Sequence, residues 1–299
     1  MALSVDRGTT HIQHHIGHDQ GGAPLFKALF FTLGFALVEA VAGVWSGSLA
    51  LVSDAGHMLT DSMALGLAAL AAWLARKPPT RRHTYGLVRL EILAALVNSL
   101  VMLGLIAYIV TEAIQRLSAP QPVAGGAVMA VAAIGLGVNI VVAWMLRHGG
   151  DSLNTRAAFL HVLGDMLGSI AALVAGAVIW TTGYTPIDPI LSLVVAGLIL
   201  VSAWRLLWES LHVLLESVPA HIDIDNVAQD MADIPGVQVV HDLHIWTLSS
   251  GQIALSAHLE LASFDDWDRI LRATRQRLDQ RHGIRHVTLQ PELKGKTPP

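Results

Sequence analysis

Residues 49–74 read LALVSDAGHMLTDSMALGLAALAAWL, and this stretch decides the fold. A helix needs about 20 apolar residues to cross the hydrocarbon core of a bilayer, and this one is long enough. Its first half nevertheless holds Asp54, His57 and Asp61. An acid inside such a span costs on the order of 3 kcal/mol, so it faces protein or water and is a functional candidate by default. His57 and Asp61 are four residues apart, and a helix stacks such residues on one face. The spacing therefore presents an imidazole and a carboxylate in the same direction. The text HVLGD at 161–165 echoes HMLTD at 57–61 and sets His161 and Asp165 in the same relation, although the echo is too short to establish a duplication.

Further apolar runs lie on either side. Residues 92–111 and 123–145 carry no charged side chain, 25–45 carries Lys27 at its edge and Glu39 inside, and 157–182 is interrupted by His161 and Asp165. Residues 189–203 are short, but Trp204, Leu206, Leu207 and Trp208 prolong them. The sum is six spans, with the His-Asp pairs in the second and fifth. Composition agrees: 53% of the 299 residues are hydrophobic and 14% charged, with a mean hydropathy of +0.53. A soluble chain of this length carries more surface charge. The net charge of −4 argues against a nucleic-acid partner, which demands a basic patch. The absence of cysteine excludes disulfides, thiolate ligands and a cysteine nucleophile, and leaves the compartment open.

Basic residues predict the orientation. The loop after the second span holds Arg76, Lys77, Arg81, Arg82 and Arg89, and the loop after the fourth holds Arg147 and Arg156, whereas the opposite connections hold Arg116 alone. Both termini are expected in the cytoplasm. The polar residues 1–24 do not read as a signal peptide. They form a tail with His11, His14, His15 and His18, either a loose metal collector or a solvated segment.

Beyond Glu216 the composition turns soluble. A helix over 222–234 stops before Pro235-Gly236, strands over 237–248 and 252–261 form a hairpin, a charged helix covers 265–281, and a last strand covers 284–289. The order αββαβ predicts a small α+β layer. The expected organisation is a tail at 1–24, a six-helix membrane domain at 25–210, and a cytoplasmic domain at 217–293.

Two facing helices that each offer an imidazole and a carboxylate supply the four-ligand N/O set that suits Zn²⁺. The bland alternative, polar residues bonding helices together, is weakened by two coincident pairs at helical spacing. Asp54 shares the face of Asp61 nearer the outer end, as an occasional ligand, a partner of His57, part of a water path, or merely an acid in a first helical turn. Glu39 is expected to face the cavity or a partner. Asp188 reads as a helix-start acid. In the soluble domain His241 and His244 share a strand, His258 lies on its hairpin partner, and His286 and Glu292 lie near the last strand. This set reads either as a second metal site or as surface and dimer-contact histidines. Within it, Glu292 reaches the others only if the tail folds back.

At these residues the chain resembles the cation diffusion facilitator family, in its zinc-transporting branch of the bacterial zinc, cobalt and cadmium efflux type. The matching text is SDAGHMLTD at 53–61, YGLVRLE at 85–91, HVLGD at 161–165, DPI at 188–190, HDLHIW at 241–246, SAH at 256–258 and HVTLQPE at 286–292. The resemblance runs from about residue 26 to 293. It implies six transmembrane helices, a cytoplasmic ferredoxin-like αββαβ domain, a homodimer in membrane lipid, and exchange of metal for protons. It implies His57, Asp61, His161 and Asp165 as the transport site for Zn²⁺, with His241, His258, His286 and Glu292 as cytoplasmic ligands. Two family features are missing: the loop site after the second span retains only His83, with Thr80 and Leu87 opposite, and the His-rich loop after the fourth span is reduced to His148.

The expected function is export of zinc by alternating access, with no enzyme activity. The rivals are a membrane metal sensor and a transporter that also accepts Cd²⁺, Co²⁺ or Mn²⁺. An intramembrane metalloenzyme requires three protein ligands, an open position and a base, commonly as HExxH, and that text does not occur.

Overall fold

The structure, a computed structural model, describes residues 22–147, 153–249 and 251–293. The histidine tail and His148 lie outside them. Among the described residues, six helices are long and apolar enough to cross a membrane. They are α1 Gly22–Ser46, α2 Leu49–Ala75, α3 Leu90–Ser118, α4 Gly125–Arg147, α5 Leu153–Thr182 and α6 Ile187–Leu214. The solvation pattern is inverted relative to a soluble bundle. Phe30, Val44, Trp45 and Val201 stand exposed on the outer surface, while Glu39, Asp54, Asn139, Asp165 and Asp188 are buried. Such a surface suits lipid, where each backbone polar group is satisfied within its own helix. The chain is a multi-pass integral membrane protein.

Helix packing relies on small residues, which let backbones approach. A Cβ on Gly176 of α5 would sit 2.5 Å from the Met129 amide nitrogen, and one on Gly125 of α4 would sit 2.7 Å from that of Trp180. α4 and α5 therefore meet almost backbone to backbone. α3 and α6 instead interlock larger side chains, with Met102, Ile106 and Ile109 against Val195 and Ile199. Gly168 of α5 lies directly against the Asp54 carboxylate of α2, a contact that leaves no room for a side chain.

The remaining chain forms α7 Ile224–Ala232, β1 Val237–Ser249, β2 Gln252–Leu261, α8 Trp267–His282 and β3 His286–Leu293. The expected αββαβ order holds. The sheet runs β1-β2-β3, with β1 antiparallel and β3 parallel to β2. Val227 and Met231 of α7 and Ile270 and Leu278 of α8 pack on Ile245, Leu255 and Leu259 of the sheet in one core. The last strand differs from its sequence reading: it starts at His286 and continues through Pro291 to Leu293, in register with β2 up to Leu261. Glu292 is thereby a strand residue, not part of a tail that has to fold back.

Candidate metal sites

α2 and α5 bring the two membrane pairs together. His57 Nε2 lies 3.6 Å from Asp61 Oδ2 on its own helix and 3.7 Å from Asp165 Oδ1 on the other. His161 Nε2 lies 3.1 Å from Asp61 Oδ2 and 3.7 Å from Asp165 Oδ2. Each imidazole thus faces both carboxylates. The two rings stand edge to face, 5.8 Å between centroids. Zn²⁺ binds such donors at about 2.0–2.2 Å, so neighbouring ligands of a tetrahedral ion stand about 3.3–3.6 Å apart. The four nitrogen–oxygen separations fall around that value. Both Asp165 oxygens and His57 Nδ1 are buried without a hydrogen bond, and buried polar atoms of that kind call for an account. A cation between the carboxylates supplies one for Asp165.

The site opens on a cavity of about 450 Å³ lined also by Asn98, Met102, Leu167, Ser202 and Leu206. His161 is the most accessible of the four, with a side chain 47% exposed, while Asp165 is buried at 1% and does not line the cavity. Asp54, which the sequence left between several roles, lines the same cavity. It accepts from Ser169 Oγ at 3.3 Å, and Ser169 accepts from Asn139 Nδ2 at 3.2 Å. Asp54 is therefore held by α5 and not by His57. Ser169 and Asn139 escaped the sequence reading because nothing in their spacing ties them to the His-Asp pairs. Glu39 neither lines this cavity nor pairs: it is fully buried, with both oxygens unpartnered among the described residues. Neither the cavity nor a partner expected for it is found among the described residues.

In the soluble domain His241 and His258 face each other across the β1–β2 ladder, ring centroids 5.3 Å apart. Glu292 of β3 bridges them, Oε2 3.2 Å from His241 Nε2 and Oε1 3.0 Å from His258 Nδ1. These three offer donor atoms all within 4.8 Å of one another. Asp242, which the sequence reading passed over, lies beside this group. A bulge between His241 and His244 breaks the β1 register, and Asp242 takes φ 49° there. Strand alternation would point Asp242 away from His241. The bulge re-aims it. Its carboxylate lies 3.5 Å from His258 Nε2 and 3.0 Å from His244 Nε2.

His286 departs from expectation. It pairs with Ala254, while His258 pairs with Gln290 four residues further along β3, which at about 3.3 Å per residue separates the two levels by roughly 13 Å. Its ring packs on Tyr85 of the α2–α3 loop instead, at 5.6 Å. Within one chain the group consists of His241, His258 and Glu292 without His286.

Comparison with known proteins follows this division of the chain. The family model for the cation efflux transmembrane domain matches residues 25–215, and that for the cation efflux protein, cytoplasmic domain, matches 219–294. The zinc transporter ZitB of Escherichia coli is 45% identical over 286 residues, 95% of this chain and 91% of that protein. The cadmium, cobalt and zinc/H(+)-K(+) antiporter of Bacillus velezensis is 41% identical, covering 94% of this chain and 91% of the relative. The metal cation efflux system protein CzcD of Cupriavidus metallidurans is 38% identical, covering 96% and 90%.

Proposed function

The chain belongs to the cation efflux family, and on that premise we propose that it exports Zn²⁺ from the cytoplasm through His57, Asp61, His161 and Asp165, in exchange for protons. The observation that carries the reading is the crosswise contact of two imidazoles with two carboxylates at 3.1–3.7 Å across α2 and α5. Zinc requires neutral imidazole and ionised carboxylate, so metal binding expels protons and protonation expels metal. The same four side chains therefore serve both ions, and alternating access makes the exchange vectorial.

The basic loops after α2 and α4 support cytoplasmic termini. In that orientation the cavity along Ser202, Leu206 and His161 leads to the cytoplasm and is the loading path. We assign residues 1–24 to a tail, 25–210 to the membrane domain and 217–293 to a cytoplasmic domain that dimerises and binds zinc at His241, His258 and Glu292. The family's cytoplasmic-domain match supports the homodimer, and bacterial relatives support the cytoplasmic membrane. Four protein ligands leave no open position for a catalytic water, so the site suits a carrier better than an enzyme.

A broader selectivity is the second reading. The N₂O₂ set is not soft enough to single out zinc, and the name of the Bacillus relative includes cadmium and cobalt. Zinc flux into proteoliposomes under a pH gradient tests the assignment, with cadmium, cobalt and manganese run beside it. Asp61→Ala and Asp165→Ala are expected to abolish flux in a folded, inserted protein. Normal flux in either variant refutes the site, and absence of flux in the parent favours a membrane metal sensor.

A further inference from the structure

Asp188 opens α6, yet its carboxylate serves another helix. It is fully buried. Its Oδ2 accepts from the Leu49 amide at 2.6 Å, and its Oδ1 accepts from Ser48 Oγ at 2.5 Å and from the Ala50 amide at 3.3 Å. The first four amides of any α-helix lack intrahelical acceptors, and when buried they need others. At α2 the account closes: Ser48, the N-cap, donates to the Gly43 carbonyl at 3.0 Å, Leu49 and Ala50 donate to Asp188, and Leu51 donates to Ser48 Oγ at 3.3 Å. The Ser48 hydroxyl both donates to the acid and accepts from Leu51, as one hydroxyl can. A carboxylate at this end also meets the positive end of the helix dipole.

The turn before α2 is fastened as well. Gly47, at φ 73°, lies against the Pro122 carbonyl, where a Cβ would come within 2.8 Å. Arg116 of α3 donates to the Gly47 carbonyl, and the Ala124 amide donates to that of Ser46 at 2.9 Å. These contacts hold the connection. Among the described residues, only Asp188 of α6 grips the Leu49 and Ala50 amides from another helix.

From this geometry we propose that Asp188 is a positioning residue for transport: by seating the start of α2 on α6 it sets the height and rotation of His57 and Asp61 against His161 and Asp165. His57 lies eight residues beyond Leu49, about 12 Å along a rigid helix. A shift or rotation at the seat is carried undiminished to the ligands, and metal sites tolerate little of either. The inference rests on the transport-site reading, and its test separates the two.

Co²⁺ is the probe, because its visible absorption reports coordination geometry. The full chain is used with His241→Ala, His258→Ala and Glu292→Ala, so that the cytoplasmic group does not contribute. Asp188→Asn keeps the shape but turns one acceptor oxygen into an amide that meets a donor. We expect its Co²⁺ affinity to fall about tenfold or more, the scale of losing an outer partner of a ligand, with weaker tetrahedral bands and a lower transport rate. Ser48→Ala removes one bond to the acid and is expected to move the same readouts less. Parental affinity and spectrum in a folded Asp188→Asn variant overturn the proposal, even if its thermal stability drops, since that is a structural role only. Should Asp188→Asn fail to fold, a parental spectrum in Ser48→Ala overturns it. A parent whose Co²⁺ bands survive Asp61→Ala defeats the transport-site reading instead, and this inference with it.

Discussion

Glu292 and His286 lie six residues apart on β3, and only Glu292 reaches the histidine pair of β1 and β2. The difference is testable by metal affinity. In the full chain with Asp61→Ala and Asp165→Ala, which silences the membrane site, Glu292→Ala is expected to weaken zinc binding by more than the roughly 10–100-fold typical of an outer partner. His286→Ala is expected to leave it within about threefold, a figure below one ligand's worth. Equal losses in a competition titration would return His286 to the ligand set, contributed from a second chain. That His57, Asp61, His161 and Asp165 come together was legible in the sequence, because an acid within a span has few innocent explanations and helical spacing fixes the shared face. Asp242 and Asp188 were not legible, each for a physical reason. Asp242 depends on a bulge that a period-two reading cannot anticipate. Asp188 looks like an ordinary first-turn acid of α6, and its partners are remote: Ser48 and Leu49 are 140 and 139 residues away.

At the scale of the element, hydropathy located all six spans but not their full lengths. α6 was expected from residue 189 and continues to Leu214. Its last turns carry an Arg205–Glu209 pair at 3.0 Å, four residues apart, the kind of helical surface that an apolar window misses. The close contacts between elements were also invisible, because a glycine that packs and a glycine that merely occurs read alike. Gly176 packs: an added methyl meets the backbone of α4 at Met129 and Gly125. Gly176→Ala is therefore expected to destabilise the membrane domain by about 1–3 kcal/mol, the usual cost of overpacking. Gly126→Ala, whose Cβ would find ordinary contacts at 3.6 Å, is expected to be neutral or to gain up to about 1 kcal/mol of helix propensity. Denaturant unfolding in micelles compares the two, and equal stabilities would mean that α4 and α5 are not in backbone contact. In the soluble layer Asp230 of α7 clamps α8. It pairs with His282 at 2.8 Å and with Arg281, and its carbonyl accepts from Arg277 at 2.9 Å. The hydrogen bond from His282 first, and then the Arg281 charge, hold its carboxyl below the ordinary aspartate value of 3.8. A depressed acid contributes stability that is fully present above its unfolded value and is lost as the pH falls through its folded one. The α7–α8 contact is expected to loosen only below pH 3.8. Asp230→Asn is expected to be less stable at neutral pH and to lack that share of the acid transition, as followed by amide exchange in α7 and α8.

For the whole molecule the question is how the soluble layer and the membrane helices communicate. The junction is thin. A cavity of about 1010 Å³ lies between the Arg82–Leu90 segment and the sheet residues Leu243, His244 and Trp246. Across the junction run an Arg89–Glu216 ion pair at 2.8 Å, both side chains largely exposed, and the Tyr85–His286 ring contact. An exposed ion pair is worth about 0–1 kcal/mol, so little resists reorientation of the soluble layer relative to the helices. Metal bound at His241, His258 and Glu292 would, by contrast, tie all three strands together. Such a ligand stabilises the arrangement that binds it in proportion to its differential affinity, and no further. It also lies outside the membrane helices, so it can bias the carrier without conducting. The expected result of removing the group with His241→Ala, His258→Ala and Glu292→Ala together is a partial loss. Zinc flux into proteoliposomes falls at low metal, where the parent is helped by occupancy of the soluble layer, and approaches the parental rate when the membrane site is saturated. The variant's saturation curve thus shifts to higher zinc at little cost in maximal rate. Loss of the maximal rate in a folded, dimeric variant would show instead that the soluble layer takes part in every transport cycle, and an unshifted curve would show that its metal is without influence on the membrane site.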